Sequence, residues 1–199
     1  MPTVAEKILT RVRLLPEGAL ISPKGFLHLA SRDAVDQAFR RLKERNELMS
    51  VARGLYVRPV ETRFGTRAPA PEKVVQGLAA SLAETVVPHG AAAANALGLT
   101  TQVPTKLVYL TSGPTRRLKL GAQVVEMKHA PDWMLLPLQP AAGEAVRALD
   151  WIGQRRAPEA LATLKQKLPA STVEELIALR PALPTWLSQS ISQTLMSHG

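Results

Sequence analysis

Residues 22–59 constrain the fold of this chain most, because they spell out an ordered series of short elements with little slack between them. Ser22-Pro23 opens a brief helix, with Ser as N-cap and Pro at the first helical position, that ends near Ala30. Ser31 caps the next helix, in which Val35, Ala38, Phe39 and Leu42 recur at i, i+3, i+4 and i+7. Asn46, a residue type that tolerates the left-handed conformation, stands where that helix stops. Leu48-Met49-Ser50-Val51 and Leu55-Tyr56-Val57-Arg58 read as two strands joined through Ala52-Arg53-Gly54. Pro59 closes the run, since proline cannot donate to a strand ladder.

A further helix precedes this run. Thr3-Val4-Ala5-Glu6 fits a capping box, and Val4, Ile8, Leu9, Val12 and Leu15 then line one helical face. Pro16-Glu17-Gly18 ends that helix, and Ala19-Leu20-Ile21 is a short apolar link with the composition of a strand. Helix, turn, helix and hairpin in this order are the pattern of a winged helix-turn-helix, which lays one helix in the DNA major groove with a loop beside it. The outward face of the helix after Ser31 carries Asp33, Asp36, Gln37, Arg40, Arg41 and Glu44. Gln pairs bidentately with adenine and Arg with guanine. Such residues also suit an ordinary solvated face; the short helix before and the hairpin after favour the DNA reading. Arg53, at the hairpin tip, suits a phosphate or minor-groove contact. Tyr56 reads two ways, as a phosphate donor or as a ring packed on the helix.

The charge distribution agrees. The 199 residues carry a formal net charge of +9, a balance that favours polyanionic partners. Residues 1–67 hold 13 Lys/Arg against 7 Asp/Glu, and residues 68–199 hold 12 against 9, so the shorter segment carries most of the excess. With 46% hydrophobic residues the chain is expected to fold rather than to serve as a basic tail. The lack of cysteine excludes disulfides, thiolate metal sites and cysteine nucleophiles, and suits a reducing compartment. No stretch approaches a membrane span, and Met1-Pro2-Thr3-Val4-Ala5-Glu6-Lys7 lacks the features of a signal peptide. A cytoplasmic protein without a membrane partner is expected.

The rest of the chain reads as a mixed unit that ends in helices. Residues 63–71 contain two prolines, a glycine and two arginines, the composition of a semi-rigid linker. Pro71-Glu72 opens a helix with Val74, Val75, Leu78, Ala79 and Leu82 on its apolar side. Residues 89–99 form a small-residue helix stopped by Gly98 and suited to packing against a sheet. Residues 106–111, 117–120 and 123–128 read as strands. From Ala141 the pattern is helical, with stripes at Ala145, Ala148, Leu149 and Ile152, at Leu161, Leu164 and Leu168, and at Trp186, Leu187, Ile191 and Leu195. Ser171-Thr172-Val173-Glu174 fits a second capping box before Leu176 and Ile177. These stripes suit packed helix pairs or a groove for a partner.

Catalytic chemistry finds little support. His28, His89, His129 and His198 show no metal-ligand spacing, and no Gly-x-Ser-x-Gly elbow or phosphate-binding glycine loop occurs. Glu126-Met127-Lys128 matches the Glu-x-Lys of metal-dependent nucleases. That chemistry needs a second carboxylate to hold the metal, yet no Asp or Glu lies between Glu84 and Glu126. A surface ion pair is the simpler reading. No catalytic residue, metal or cofactor is expected. The same stretch holds only positive charges, Lys106, Arg116, Arg117 and Lys119, which suit either a second basic surface or a solvated hairpin.

The whole pattern resembles the AbiEi-type antitoxin family of type IV toxin–antitoxin, abortive-infection systems. The likeness rests on residues 31–42 (SRDAVDQAFRRL), residues 51–57 (VARGLYV), residues 96–104 (ALGLTTQVP) and residues 108–113 (VYLTSG), and covers about residues 4–130. It implies a repressor that binds inverted repeats of double-stranded DNA in its own promoter and counters a nucleotidyltransferase toxin, without need of a stable complex. It places the DNA contacts on Arg32, Gln37, Arg40, Arg41, Arg53 and Tyr56.

The expected fold is therefore α+β: a winged helix-turn-helix over residues 1–62, a linker over 63–71, and over 72–199 an α/β antitoxin domain ending in helices. A ligand-responsive winged-helix regulator unrelated to toxins is the alternative.

Overall fold

The computed structural model describes residues 1–196. In chain order the elements are α1 (Val4–Arg13), a 3-10 turn (Pro23–Phe26), α2 (Arg32–Glu44), β1 (Met49–Ala52), β2 (Leu55–Val57), β3 (Val60–Thr62), β4 (Gly65–Arg67), α3 (Pro71–Leu82) and β5 (Val86–Pro88). Then follow α4 (Gly90–Ala96), β6 (Leu107–Thr111), β7 (Arg116–Leu120), β8 (Gln123–His129), a 3-10 turn (Asp132–Met134), α5 (Pro140–Ile152) and α6 (Ala157–Lys167). The last elements are α7 (Ala170–Ala178), a 3-10 turn (Arg180–Ala182) and α8 (Thr185–Leu195). The fold is mixed α+β, and the chain divides into two compact units. Unit 1 comprises residues 1–86 and 115–127; unit 2 comprises residues 87–114 and 128–199.

In unit 1, local signals set the helix ends. The Thr3 hydroxyl accepts from the Glu6 amide and the Glu6 carboxylate accepts from the Thr3 amide, which completes the capping box of α1. The Ser31 hydroxyl caps α2, and Asn46 takes φ +56° just beyond its end. The turn at Pro23 is 3-10 rather than α-helical and has no side-chain cap from Ser22; a segment this short cannot repay the cost of α nucleation. Ile8, Val12, Ile21, Phe26, Val35, Ala38, Phe39, Leu42 and Leu48 bury together as one core. β1 and β2 pair antiparallel. Ile21 adds a single bridge, its amide donating to Tyr56 O and its carbonyl accepting from Tyr56 N, both at 2.8 Å.

The segment expected as a linker is structured instead. β3 and β4 form a second hairpin directly after Pro59, so residues 63–67 are its turn and return strand. The Glu17 carboxylate accepts from the Ala70 amide at 3.0 Å and faces the Arg67 guanidinium at 3.4 Å. Beside it Gly18, at φ +82°, abuts the Lys73 backbone so closely that a Cβ would collide, and Gly77 abuts Gly18 O in the same way. Two glycines thus let the loop after α1 press on α3, and α3 belongs to unit 1 rather than to a domain beginning at residue 72. The β7–β8 hairpin also belongs to this unit, apart from the end of β8, and pairs Arg116 with Met127 through Leu120 with Gln123.

Unit 2 is built on helices. Leu149, Leu161, Leu164, Leu176, Leu187 and Ile191 are the centre of one core from α5 to α8, so the stripes read in the sequence fill an interior. The expected capping box at Ser171 does not form. α7 starts at Ala170 with Pro169 as its cap residue, which places Ser171 inside the helix. The small-residue helix α4 packs on α5 and not on a sheet: Ala93 and Ala94 bury against Ala148. Gly90 makes that approach possible, since a Cβ there would strike Arg147 O and the Trp151 Cβ. The Asn95 amide donates to Thr100 O and Gln102 O, which holds the Gly-Leu-Thr-Thr-Gln stretch against α4. The His89 amide donates to Val108 O and the Ala130 amide to Thr111 O, so β6 is flanked by the end of β5 and the end of β8. Among the described residues no helix is long and apolar enough to cross a membrane.

Candidate functional site

α2 buries Val35, Ala38, Phe39 and Leu42 and exposes the opposite side. Asp33, Gln37, Arg40 and Glu44 are exposed at helical spacing along the centre of that side, with Asp36 and Arg41 at its flanks. Gln37, Arg40 and Arg41 are therefore brought onto one open surface. Arg32 is exposed but engaged, its Nε donating to the Asp36 carboxylate at 2.9 Å, one turn along the helix. Such an exposed pair contributes little to stability and can exchange for another acceptor.

Arg53 is exposed at the β1–β2 tip, followed by Gly54 at φ +70°. The left-handed glycine lets the two strands return on themselves, and a bulge between Ser50 and Ala52 bends β1 beside it. Tyr56 packs its ring on Phe39, centroids 5.0 Å apart, and Phe39 meets Phe26 edge-on at 5.7 Å. Of the two readings of Tyr56, packing on the helix is the geometry found. This aromatic row ties the hairpin to α2.

The other basic residues stand in different surroundings. Arg116 is largely buried and forms an ion pair with Glu84. Arg117 and Lys119 share the exposed face of β7, alternating with buried Leu118 and Leu120, and Arg117 faces Glu126 across the hairpin at 3.4 Å. Lys106 lies in unit 2. Glu126 thus pairs with Arg117 rather than with Lys128, and no group of three or more His, Asp or Glu suited to a metal occurs among the described residues.

Each described histidine has its own hydrogen-bond partner. His28 contacts Arg11, and His129 Nδ1 lies 3.0 Å from Gly113 O. His198 lies outside the described residues. His89 caps α4, its Nδ1 accepting from the Ala91 amide at 3.2 Å, and burial together with nearby Lys128 holds its pKa below the ordinary value against the pull of Asp150.

One residue that the sequence reading passed over stands out. Arg147, on α5, is only 5% exposed, and its Nε has no hydrogen-bond partner. The signal available was a lone arginine flanked by Val146 and Ala148 within an apolar helix, four residues after Gly143.

A family model, described as a family of unknown function (DUF6088), matches residues 7–175. The chain belongs to the DUF6088 family. The DUF6088 match takes in α2, the hairpin with Arg53, and Arg147. The chain is also similar to the crystal structure of the RV2827C protein from Mycobacterium tuberculosis, at a TM-score of 0.52 and 20% identity, covering 98% of this chain and 77% of that one. At that identity the likeness concerns the fold alone. Comparison with curated proteins gives no match.

Proposed function

We propose that residues 4–57 act as a winged helix-turn-helix, with α2 as the recognition helix and the β1–β2 hairpin as the wing. On this reading the protein is a cytoplasmic DNA-binding repressor of its own promoter. It serves as the antitoxin of a type IV system and counters a nucleotidyltransferase toxin. One observation carries the DNA reading. α2 is fixed on one side by a core shared with α1 and the Pro23 turn, and its other side, with Gln37, Arg40 and Arg41, is open beside a hairpin tipped by Arg53. Asp33 and Glu44 on the same face repel phosphate, so they would restrict approach to one alignment; a carboxylate can also accept from cytosine N4.

Titration of the purified protein with its own upstream DNA tests this. Arg40→Ala is expected to weaken specific binding by ~1–3 kcal/mol. Arg53→Ala should weaken binding to every sequence and lower the slope of log K against log salt by about one unit. Parental affinity and salt slope in both variants would remove the DNA reading of these faces. Co-expression with the adjacent reading frame tests the antitoxin role: growth should be restored by the parent chain, and failure to restore it leaves the repressor without a toxin. A ligand-responsive regulator is the second reading, favoured by the cleft in unit 2 that holds Arg147; it requires DNA affinity to change when that cleft is filled.

A further inference from the structure

Unit 2 contains a half-open cleft of about 230 Å³, lined by His89, Lys128, His129, Arg147, Asp150 and Trp151, with Leu110 and Met134 as apolar wall. Arg147 is its unusual member. The side chain lies back along α5 over Gly143, where a Cβ would stand 3.0 Å from Nη1. Nη1 reaches Met134 O only at 3.5 Å, the long limit of a hydrogen bond, and Nε is buried without a partner. Arg147 forms no ion pair among the described residues; Glu144, one turn back, lends it only a distant attraction. Burial pulls its pKa below the ordinary value, yet a guanidinium stays charged in proteins.

A buried charge is normally paired, and one left unpaired calls for a missing counter-ion. The charges around it point to the sign of that group. Lys128 adds a second cation at the cleft, and His89 lines it too; the His89 Nδ1 accepts from the Ala91 amide, so the neutral ring carries its proton on Nε2. Asp150 is the opposing group; burial raises its pKa, and His89 holds it partly in check. The guanidinium fork matches the two oxygens of a carboxylate or phosphate, and Trp151 with Met134 and Leu110 suits an apolar or aromatic body.

We propose that this cleft binds a small organic oxyanion, a carboxylate or phosphate monoester carried on an apolar or aromatic body, with Arg147 as the principal anion ligand and Lys128 as its support. The site rests on unit 2 alone and holds whether or not unit 1 binds DNA.

The test is calorimetric titration of the full chain, without DNA and at fixed ionic strength, with benzoate, phenyl phosphate, adenosine monophosphate and inorganic phosphate. At least one of the organic anions should bind at a single saturable site, about tenfold or more tightly than inorganic phosphate. Tighter benzoate identifies a carboxylate ligand, and tighter phenyl phosphate or adenosine monophosphate a phosphate ester. Arg147→Met should reduce that affinity at least about tenfold and raise the melting temperature of the ligand-free protein, because it removes an unpaired buried charge. Lys128→Gln, at an exposed position, should fold like the parent and bind several-fold more weakly. Arg40→Ala should bind like the parent, which excludes capture of the anion by the basic face of α2. The proposal is overturned if no organic anion binds more tightly than inorganic phosphate. It is equally overturned if Lys128→Gln and Arg147→Met bind like the parent, or if Arg147→Met only lowers the melting temperature and no probe binds the parent.

Discussion

Phe39→Ala is expected to destabilise unit 1 by about 3–5 kcal/mol, the usual cost of emptying a buried aromatic position. Phe39 is 1% exposed and sits between two other rings, Phe26 at 5.7 Å and Tyr56 at 5.0 Å. Alanine would lose the buried ring area and leave a void that α1, the Pro23 turn and the hairpin cannot all close at once. It would also untie Tyr56 from α2, and with it the hairpin that carries Arg53. Hydrogen exchange of amides in α1 and α2 is the suitable measurement, because it reads this unit directly. Phe39→Leu, which keeps most of the volume, should cost much less, below about 1.5 kcal/mol. A loss under about 1 kcal/mol for the alanine variant would show that the aromatic row does not hold α2 and the hairpin together.

Gly90→Ala is expected to cost about 2–3 kcal/mol in unit 2. The sign makes it diagnostic, since glycine to alanine within a helix ordinarily stabilises by roughly 0.5–1 kcal/mol. Here the added methyl would meet Arg147 O and the Trp151 Cβ, and neither can swing aside without moving α5. α4 must lift away from Ala148, exposing Ala93 and Ala94. Trp133, Trp151 and Trp186 all belong to unit 2, so denaturation followed by tryptophan fluorescence reads the affected region. An unchanged or raised midpoint would mean that α4 and α5 do not approach as closely as described.

The parts of the fold legible in the sequence were those fixed within one turn of chain. The capping box at Thr3 and Glu6, the Ser31 cap, the left-handed Asn46 and the stripe from Val35 to Leu42 are all local. The misreadings share the opposite property. Residues 63–71 have a linker's composition, but Glu17, some fifty residues earlier, anchors Arg67 and Ala70. α4 has the small residues expected of a buried helix, but nothing in its own sequence names α5 as the surface it meets. The capping pattern at Ser171 lost to Pro169, whose fixed backbone starts α7 earlier. The candidate DNA face could be listed residue by residue, because exposure on α2 follows from helical period. The surroundings of Arg147 could not, because its neighbours His89 and Lys128 arrive from other segments.

The division of the chain bears on how the molecule is made. Unit 1 recruits residues 115–127 after residues 87–114 have been given to unit 2. On the ribosome, where residues are added at about 5–20 per second, α1 and α2 emerge early, but their unit acquires its final hairpin only after part of the other has been synthesised. A single stop codon or one crossover between genes therefore cannot release either unit whole. Shuffling by simple end-to-end fusion is closed to such a chain, and any exchange of its amino-terminal segment for another must leave β7 and β8 behind or carry the intervening segment with them.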